Sequence, residues 1–185
     1  KTQQDDFKKI PGSPVAYWVS DNKRKMFSEL KSIGEFAEAR QGMATSDNNR
    51  FLRFWHEVDI SQAKFGAEDA DDALSSGKKW FPYNKGGSFR KWWGNQEYLI
   101  NWEFNGKEVL DYAASLYGSP TRTIKSINYY FKPSVGWSFV SSSYFGVRVY
   151  PKGFLFDVGG SSVFPSPERI EQVAGFLCSD LAPEL

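Results

Sequence analysis

Three short apolar runs, separated by turn-forming residues, constrain the fold of this chain more than any other feature of the sequence. They are Trp137–Ser141, Phe145–Tyr150 and Phe154–Val158. Short runs rich in aromatic and β-branched residues, bounded by Gly, Pro and Ser, are typical of β-strands. The first two can pair across residues 142–144, and the third follows the turn at 151–153. The sequence therefore predicts a β-meander.

Three other segments carry apolar residues at helical spacing. Ser20 is suited to cap a helix that runs to about Ile33, where Gly34 would end it. A second helix is predicted over 106–117 with Gly118 as its stop, and a third begins at Ser166. Residues 98–102 and 127–131 are predicted as further strands. Together these elements predict an α+β fold with a mixed or antiparallel sheet and about three flanking helices.

Composition excludes several classes of site. The chain has one cysteine and one histidine, so it lacks the ligands of an ordinary zinc site and cannot form an internal disulfide. We expect Cys178 to be a small core residue and the protein to occupy a reducing, cytoplasmic compartment. No apolar stretch approaches the roughly 20 residues that cross a membrane, and no signal peptide is evident. We therefore expect no membrane partner.

Charge is balanced overall, at a formal +1, but it is unevenly distributed. Residues 57–72 contain six acids against Lys64, whereas 78–91 and 112–156 each contain five bases and no acid. Two acid-free stretches together could form a positive face for nucleic acid. A solvated surface with chance clustering is the alternative at this point.

The segment from Lys78 to Asn95 is the most unusual in the chain, because bases alternate with aromatic residues around Gly86-Gly87. Lysine and arginine neutralise phosphates, and arginine and asparagine can read base edges. The glycines would let the backbone approach a ligand. The alternative is a β-hairpin with inward-facing rings. Both interpretations hold together if Trp80, Phe81, Trp92 and Trp93 are structural and the charged residues face DNA.

Residues 45–53 form a second polar constellation. Short polar side chains here favour a loop, which would bring Asn48, Asn49, Arg50 and Arg53 to the surface. An ordinary Asx turn is the alternative.

A catalytic set is missing from the sequence. The chain has no Pro-Pro, which an amino-methylating enzyme would need beside an Asp or Asn, and no P-loop or dinucleotide fingerprint. Gly159-Gly160 follows a strand but does not open a helix. Asp69, Asp71 and Asp72 are interpreted as a solvated acidic face rather than a metal site.

Several of these motifs together resemble a known protein family. The order and spacing of the motifs is similar to the central, target-recognition region of PglX, the adenine-specific DNA methyltransferase family of BREX phage-defence systems. Ser46 and Ser88 depart from the family pattern, which leaves the recognised DNA sequence open. The motifs that carry the resemblance lie at 10–18, 42–53, 79–95, 137–148 and 153–157.

The resemblance implies a division of the chain and a function. Residues 1–34 would be an opening segment and helix leading from a methyltransferase domain, 35–165 the DNA target-recognition domain, and 166–185 a C-terminal helix. The longer protein would use S-adenosylmethionine to methylate a flipped adenine in double-stranded DNA, in a bacterial cytoplasm. This fragment would hold no cofactor and no catalytic residue.

Within that function, the charged and polar residues of these segments lead us to expect a set of DNA contacts. Lys78, Lys79, Lys85 and Lys91 would contact phosphates. Arg90, Asn84, Ser141 and Tyr144 would reach base edges. The remaining contacts would be Arg148 and the residues of the polar constellation, Asn48, Asn49, Arg50 and Arg53.

Two other function classes remain open on the sequence. The acidic stretch 57–72 would suit a protein-interaction domain that docks a defence-system partner or a phage inhibitor. The high aromatic content, 17% of residues, would suit a module that binds a sugar or a peptide.

Overall fold

Two four-stranded sheets organise the chain. The computed structural model describes residues 5, 8, 10, 12–15, 17–140 and 144–182. The strands are β1 (Ala37–Arg40), β2 (Leu52–Phe54), β3 (Trp80–Asn84), β4 (Tyr98–Asn101), β5 (Ser134–Trp137), β6 (Val147–Tyr150), β7 (Leu155–Phe156) and β8 (Ser162–Pro165). The first sheet has the order β1-β8-β5-β6 and is antiparallel; the second has the order β2-β4-β3-β7 and is antiparallel except for the parallel pair β3 and β7. The predicted α+β class with a mixed or antiparallel sheet is confirmed.

The helices agree with the predicted ones in position and differ at their ends. The Ser20 hydroxyl accepts from the backbone N–H of Lys23 and starts α1 as predicted, but α1 ends at Glu29 because Leu30 is extended. Gly118, with φ 75°, ends α4 as predicted. Ser166 precedes a 3-10 turn and bonds the Glu168 carboxylate instead of capping a helix. The helices are α1 (Asp21–Glu29), α2 (Asn48–Phe51), α3 (Ala70–Ser75), α4 (Glu103–Tyr117) and α5 (Ile170–Cys178).

The predicted meander does not form, because its third run joins the other sheet. Strands β5 and β6 pair antiparallel, with Trp137 opposite Val147, although β5 begins at Ser134 and ends at Trp137. Strand β7 lies in the second sheet beside β3, where Leu155 and Phe156 are buried in its core. The neighbour of β5 on its other side is β8. Residues 127–129, predicted as part of a strand, form a 3-10 turn.

Each sheet has its own apolar core. The core of the second sheet packs β3, β4 and β7 against α4 and includes Phe81, Ile100 and Val109. The core of the first sheet lies under α5, where Val173 and Ala174 pack with Val135, Val147 and Val163. Cys178 is buried in this core of the first sheet, as predicted from its apolar surroundings. Helix α5 therefore covers one face of the first sheet.

The two sheets are joined at residues 157–161, which lead from β7 to β8. The buried Asp157 carboxylate accepts from the Tyr83 hydroxyl at 2.8 Å and from the Lys85 ammonium at 2.7 Å. The buried Asn84 amide donates to the Gly160 carbonyl at 2.8 Å, and the Asp157 N–H donates to the Asn84 carbonyl at 2.9 Å. The end of β3 is thus bonded to the connection between the sheets, which we call the sheet corner.

Removing the charge of Asp157 should destabilise the sheet corner. In Asp157→Asn the Lys85 ammonium and the Tyr83 hydroxyl lose a buried carboxylate. Breaking a buried ion pair costs 3–5 kcal/mol, and because Lys85 is partly exposed we expect a loss of about 3 kcal/mol in the free energy of unfolding. Urea denaturation measures it, with the exposed Asp180→Asn as control. A loss below about 0.5 kcal/mol, the range of ordinary surface substitutions, contradicts this role.

Stability should fall at alkaline pH. Burial raises the pKa of Tyr83, Tyr130 and Tyr150 above the ordinary value of 10.0, and the Asp157 charge adds to the effect at Tyr83 and Tyr130. Because the pKa values are higher in the folded state, this stability is complete below about pH 10 and declines as the pH rises above it. Urea midpoints at about pH 9 and about pH 11 would measure the change. Ionisation of all nine tyrosines of the folded protein with the ordinary pKa of about 10 would contradict the prediction.

Candidate nucleic-acid interface

The segment between β3 and β4, residues 85–97, is a long connection that we call the basic–aromatic loop. It begins in the second sheet and pairs with the edge of the first. The Trp92 N–H donates to the Val147 carbonyl at 2.9 Å, and the Val149 N–H donates to the Trp92 carbonyl at 2.9 Å. The Asn95 amide donates to the Ser88 carbonyl at 2.8 Å and closes the loop on itself. The loop is therefore fixed against β6 by backbone bonds.

Gly86 serves this attachment rather than a ligand. A Cβ placed on Gly86 would lie 2.3 Å from the carbonyl oxygen of Gly159, and its φ of 79° suits glycine. The expected close approach of the backbone at Gly86 is therefore used to pack the loop on the sheet corner.

The loop displays aromatic rings to solvent. Trp92 and Trp93 are 54% and 57% exposed, Phe89 is 38% exposed, and Tyr144 contacts Phe89 edge-on with ring centroids 6.0 Å apart. The prediction that Trp92 and Trp93 are structural is wrong, because the anchoring bonds of Trp92 come from its backbone and leave the ring outside. Phe81 is buried, as predicted. Exposed rings on a fixed loop form a candidate binding surface.

Of the predicted phosphate-contacting lysines, Lys85 and Lys91 belong to the loop, whereas Lys78 and Lys79 precede β3 at its opposite end, and three of the four also bond the protein. Lys78 donates to the Ser61 carbonyl, Lys85 to Asp157 and Lys91 to the Cys178 carbonyl, at 2.7–2.8 Å. Lys79 is half-buried, with its ammonium 5.8 Å from the Trp80 ring centroid. Each ammonium has three N–H donors, so one bond within the protein positions it and leaves two donors for a ligand.

Arg90 is the exposed guanidinium of the loop. Its Nη1 donates to the carbonyl of the adjacent Phe89 at 3.0 Å. That single bond leaves four of its five N–H donors unused by the described residues. Arg90 is therefore the side chain of the loop best placed to contact a partner.

Two predicted DNA contacts are buried, and we remove them from the interface. Asn84 belongs to the sheet corner. Arg148 is fully buried: its Nε donates to the Tyr150 hydroxyl at 3.1 Å and its Nη2 to the Ser138 hydroxyl at 3.2 Å. Ser138 in turn donates to the Gly87 carbonyl at 2.6 Å. Arg148 thus supports the basic–aromatic loop from beneath, which its position in an acid-free stretch did not reveal. Ser141 lies outside the described residues.

The polar constellation of residues 45–53 is brought next to the start of the loop. The Asp47 side chain accepts from the Arg50 N–H and begins α2. Asn48, Asn49 and Arg53 share a pocket of about 340 Å³ with Lys85. Its other lining residues are Leu52, Phe54, Glu57 and Tyr98. Two segments that were separate in the sequence analysis therefore form one site, which we call the α2 pocket.

Arg50 is directed elsewhere. Its Nε and Nη2 donate to the Glu108 carboxylate at 3.0 and 2.7 Å, and its guanidinium lies 4.9 Å from the Tyr112 ring centroid. These contacts join α2 to α4. Arg50 is therefore engaged in packing between helices.

The acidic stretch 57–72 is used for local structure. Asp69 caps α3 through the N–H groups of Asp71 and Asp72. Asp72 accepts from the Glu68 N–H and the Lys64 ammonium, and these bonds hold its pKa below the ordinary value. Among the described residues, no group of three or more His, Cys, Asp or Glu side chains could hold a metal ion.

The resemblance implies S-adenosylmethionine for a longer protein, and Gly160, which follows a strand, is the glycine to compare with a cofactor loop. A Cβ on Gly160 would lie 2.4 Å from the Asn84 carbonyl oxygen. Gly160 is therefore needed for packing at the sheet corner and leaves no room there for a cofactor. In the part of the chain that the structure covers, no helix combines the length and apolarity that crossing a bilayer requires.

The sequence is similar to two curated proteins. It is 41% identical over 170 residues to the adenine-specific methyltransferase PglX of Lacticaseibacillus casei (strain Zhang), covering 89% of this chain and 14% of that protein. It is 43% identical over 165 residues to the adenine-specific methyltransferase BrxX of Escherichia coli O9:H4 (strain HS), covering 88% of this chain and 12% of that protein. No protein-family model matches the chain.

These comparisons confirm the resemblance to PglX over most of the chain. They also show that the chain spans about one seventh or less of the curated relatives it matches.

Replacing Arg148 should loosen the basic–aromatic loop. Arg148→Met removes the donors that hold Tyr150 and Ser138, and hydrogen bonds to charged groups contribute about 2 kcal/mol. We expect the amides of Trp92 and Val149 to exchange hydrogen about thirtyfold faster, while those of β3 and β4 keep their rates. Arg122→Met, at an exposed arginine, is the matched control. Unchanged exchange at Trp92 would contradict a supporting role.

Proposed function

We propose that this chain, which matches a segment of the adenine-specific methyltransferases PglX and BrxX, is the DNA target-recognition part of such an enzyme. The methyl transfer, the binding of S-adenosylmethionine and the flipping of the target adenine would belong to other parts of a longer protein. In this proposal the enzyme acts in BREX phage defence in a bacterial cytoplasm. The names of the relatives support the enzyme class.

The observation that carries the proposal is the basic–aromatic loop, in which an exposed arginine stands among exposed rings on a fixed backbone. Arg90 lies between Phe89 and the pair Trp92 and Trp93. Arginine in the major groove bonds two acceptors of guanine, and this geometry needs a backbone that holds the guanidinium in one place. The two backbone bonds at Trp92 provide that hold.

Four other cations are suited to phosphate. Lys91 is next to Arg90 in the loop, Lys79 lies beside the Trp80 ring at the start of β3, and Lys85 and Arg53 lie together in the α2 pocket. Phosphate contacts position a protein on the duplex, whereas base contacts select the sequence. We therefore assign these four residues to positioning and Arg90, with Tyr144 beside it, to sequence selection. Lys78 stays a predicted phosphate contact.

Binding to double-stranded DNA at several salt concentrations tests this proposal. With about four phosphate contacts, log K should fall with log salt concentration at a slope of roughly −3 to −4. A module that binds a sugar or a peptide would show affinity insensitive to salt. Failure to bind any duplex at roughly 50 mM salt contradicts the proposal, since nonspecific binding is strongest there.

Selection from a pool of randomised duplexes tests Arg90 in the same experiment. The wild-type chain should enrich a motif, and Arg90→Ala should lose preference at one position by about tenfold, the lower part of the 1–3 kcal/mol range for a bidentate contact. Arg122→Ala is the matched control, because Arg122 is exposed and lies outside the loop and the pocket. If Arg90→Ala selects the same motif as the wild type, the assignment of Arg90 to sequence selection is wrong.

A further inference from the structure

We propose that the α2 pocket binds a single unstacked nucleotide, whose phosphate is held by Arg53 and Lys85 and whose base contacts Asn49. This inference rests on the proposed function where the nucleotide belongs to a DNA strand. The pocket chemistry is the same for a free nucleotide, so the two sources are separated by experiment below.

The size of the pocket fits a ligand of this class. Its volume of about 340 Å³ falls in the range of about 300–1,000 Å³ that small-molecule sites occupy. It is lined by residues of α2, β2 and β4, by Glu57, and by Lys85, the first residue of the basic–aromatic loop. It is therefore continuous with the proposed DNA-binding surface through Lys85.

Two cations in the pocket are positioned and keep unused donors. Arg53 Nη1 donates to the carbonyls of Asn49 and Leu52, both at 2.6 Å, which fixes the guanidinium and leaves Nε and Nη2 for a ligand. Lys85 is fixed by its 2.7 Å contact with Asp157. Guanidinium groups bind phosphate through paired hydrogen bonds. A single phosphate group could therefore accept hydrogen bonds from both Arg53 and Lys85.

Glu57 is the acidic residue of the pocket, and it is partly satisfied by the protein. Its carboxylate accepts from the Phe54 N–H at 2.7 Å. The charge of Lys85 is paired with Asp157, whereas the Arg53 guanidinium makes no ion pair with a carboxylate of the described residues. An anionic ligand is therefore favoured over a cationic one.

Amides and rings supply contacts for a base. Asn49 is exposed, and its side-chain amide makes no hydrogen bond to another described residue. Asn48 Oδ1 accepts from the Thr45 hydroxyl at 2.7 Å, which orients that amide. Asparagine can donate to and accept from the edge of adenine. The Phe54 and Tyr98 rings, stacked with centroids 4.6 Å apart, add apolar surface for a flat ligand.

A base inside a duplex cannot enter such a pocket, because its edges are paired and its faces are stacked. Unstacking costs a few kcal/mol, and the cost is least for a base that is already unpaired. A duplex with one unpaired adenine should therefore bind better than the same duplex fully paired.

The test measures the affinity of the full chain for three probes: a fully paired duplex, the same duplex with one unpaired adenine, and adenosine monophosphate. We expect about tenfold tighter binding of the unpaired duplex, within the range of base-stacking contributions. Asn49→Ala should bring that ratio close to one. Asn128→Ala, an exposed asparagine outside the pocket, should keep it. Asn49→Asp should weaken the binding of adenosine monophosphate more than Asn49→Ala does, because it adds a carboxylate beside the phosphate site.

The outcomes separate this inference from the proposed function. Equal affinity for both duplexes overturns the pocket and leaves DNA recognition standing, and so does a ratio that survives Asn49→Ala. Binding of adenosine monophosphate without binding of either duplex supports a nucleotide pocket and overturns DNA recognition. Binding of none of the three probes overturns both.

Discussion

The buried carboxylate of Asp157 is the interaction on which the arrangement of this chain depends. Its two oxygens bond Tyr83 and Lys85 on one side and the Gly159 N–H, at 2.7 Å, on the other. A buried carboxylate needs such partners, since an unpaired charge away from water is strongly unfavourable. Satisfying Asp157 therefore holds the end of β3 against the connection that leads into β8. The contact thus links the second sheet to the chain that enters the first.

The position of the basic–aromatic loop is a consequence of the same corner. The loop starts at Lys85, one residue beyond the buried Asn84, so its first residue is already fixed. It then reaches across to the edge of β6, where Trp92 pairs with the backbone. Beneath it, the buried Arg148 bonds Ser138, which holds Gly87. A segment without regular secondary structure is thereby held at three places, and the α2 pocket opens beside the first of them.

Local signals in the sequence predicted the elements that local chemistry determines. Ser20 starts α1 and Gly118 ends α4, because a side-chain acceptor and a left-handed residue act within one turn. The pairing of β5 with β6 follows from short sequence separation. The position of β7 could not be predicted, since its partner β3 is distant in the chain and the parallel pairing has no turn signal.

The sequence predicted which segments form the candidate site, but not which of their side chains are buried and which are exposed. The segment around Arg90 and the polar constellation were identified, yet burial of Arg148 and Asn84 depends on partners from remote strands. The exposure of Trp92 and Trp93 was also missed, because a loop lacks the periodicity that tells an inward side chain from an outward one. Asp157, the first acid after a long acid-free stretch, was the available signal for the corner.

The way the basic–aromatic loop is attached has a consequence for how such a protein changes over evolutionary time. At Trp92 the attachment is made by peptide groups, which every residue except proline possesses in full. The exposed side chains of Arg90, Trp92 and Trp93 take no part in these two backbone bonds, whereas the Phe89 ring packs on Gly146 and contacts Tyr144. Substitutions of exposed side chains such as Arg90 and Trp93 leave both backbone bonds in place, so the surface can change what it binds while the loop keeps its attachment; position 92, with a φ of 72°, accepts fewer residues.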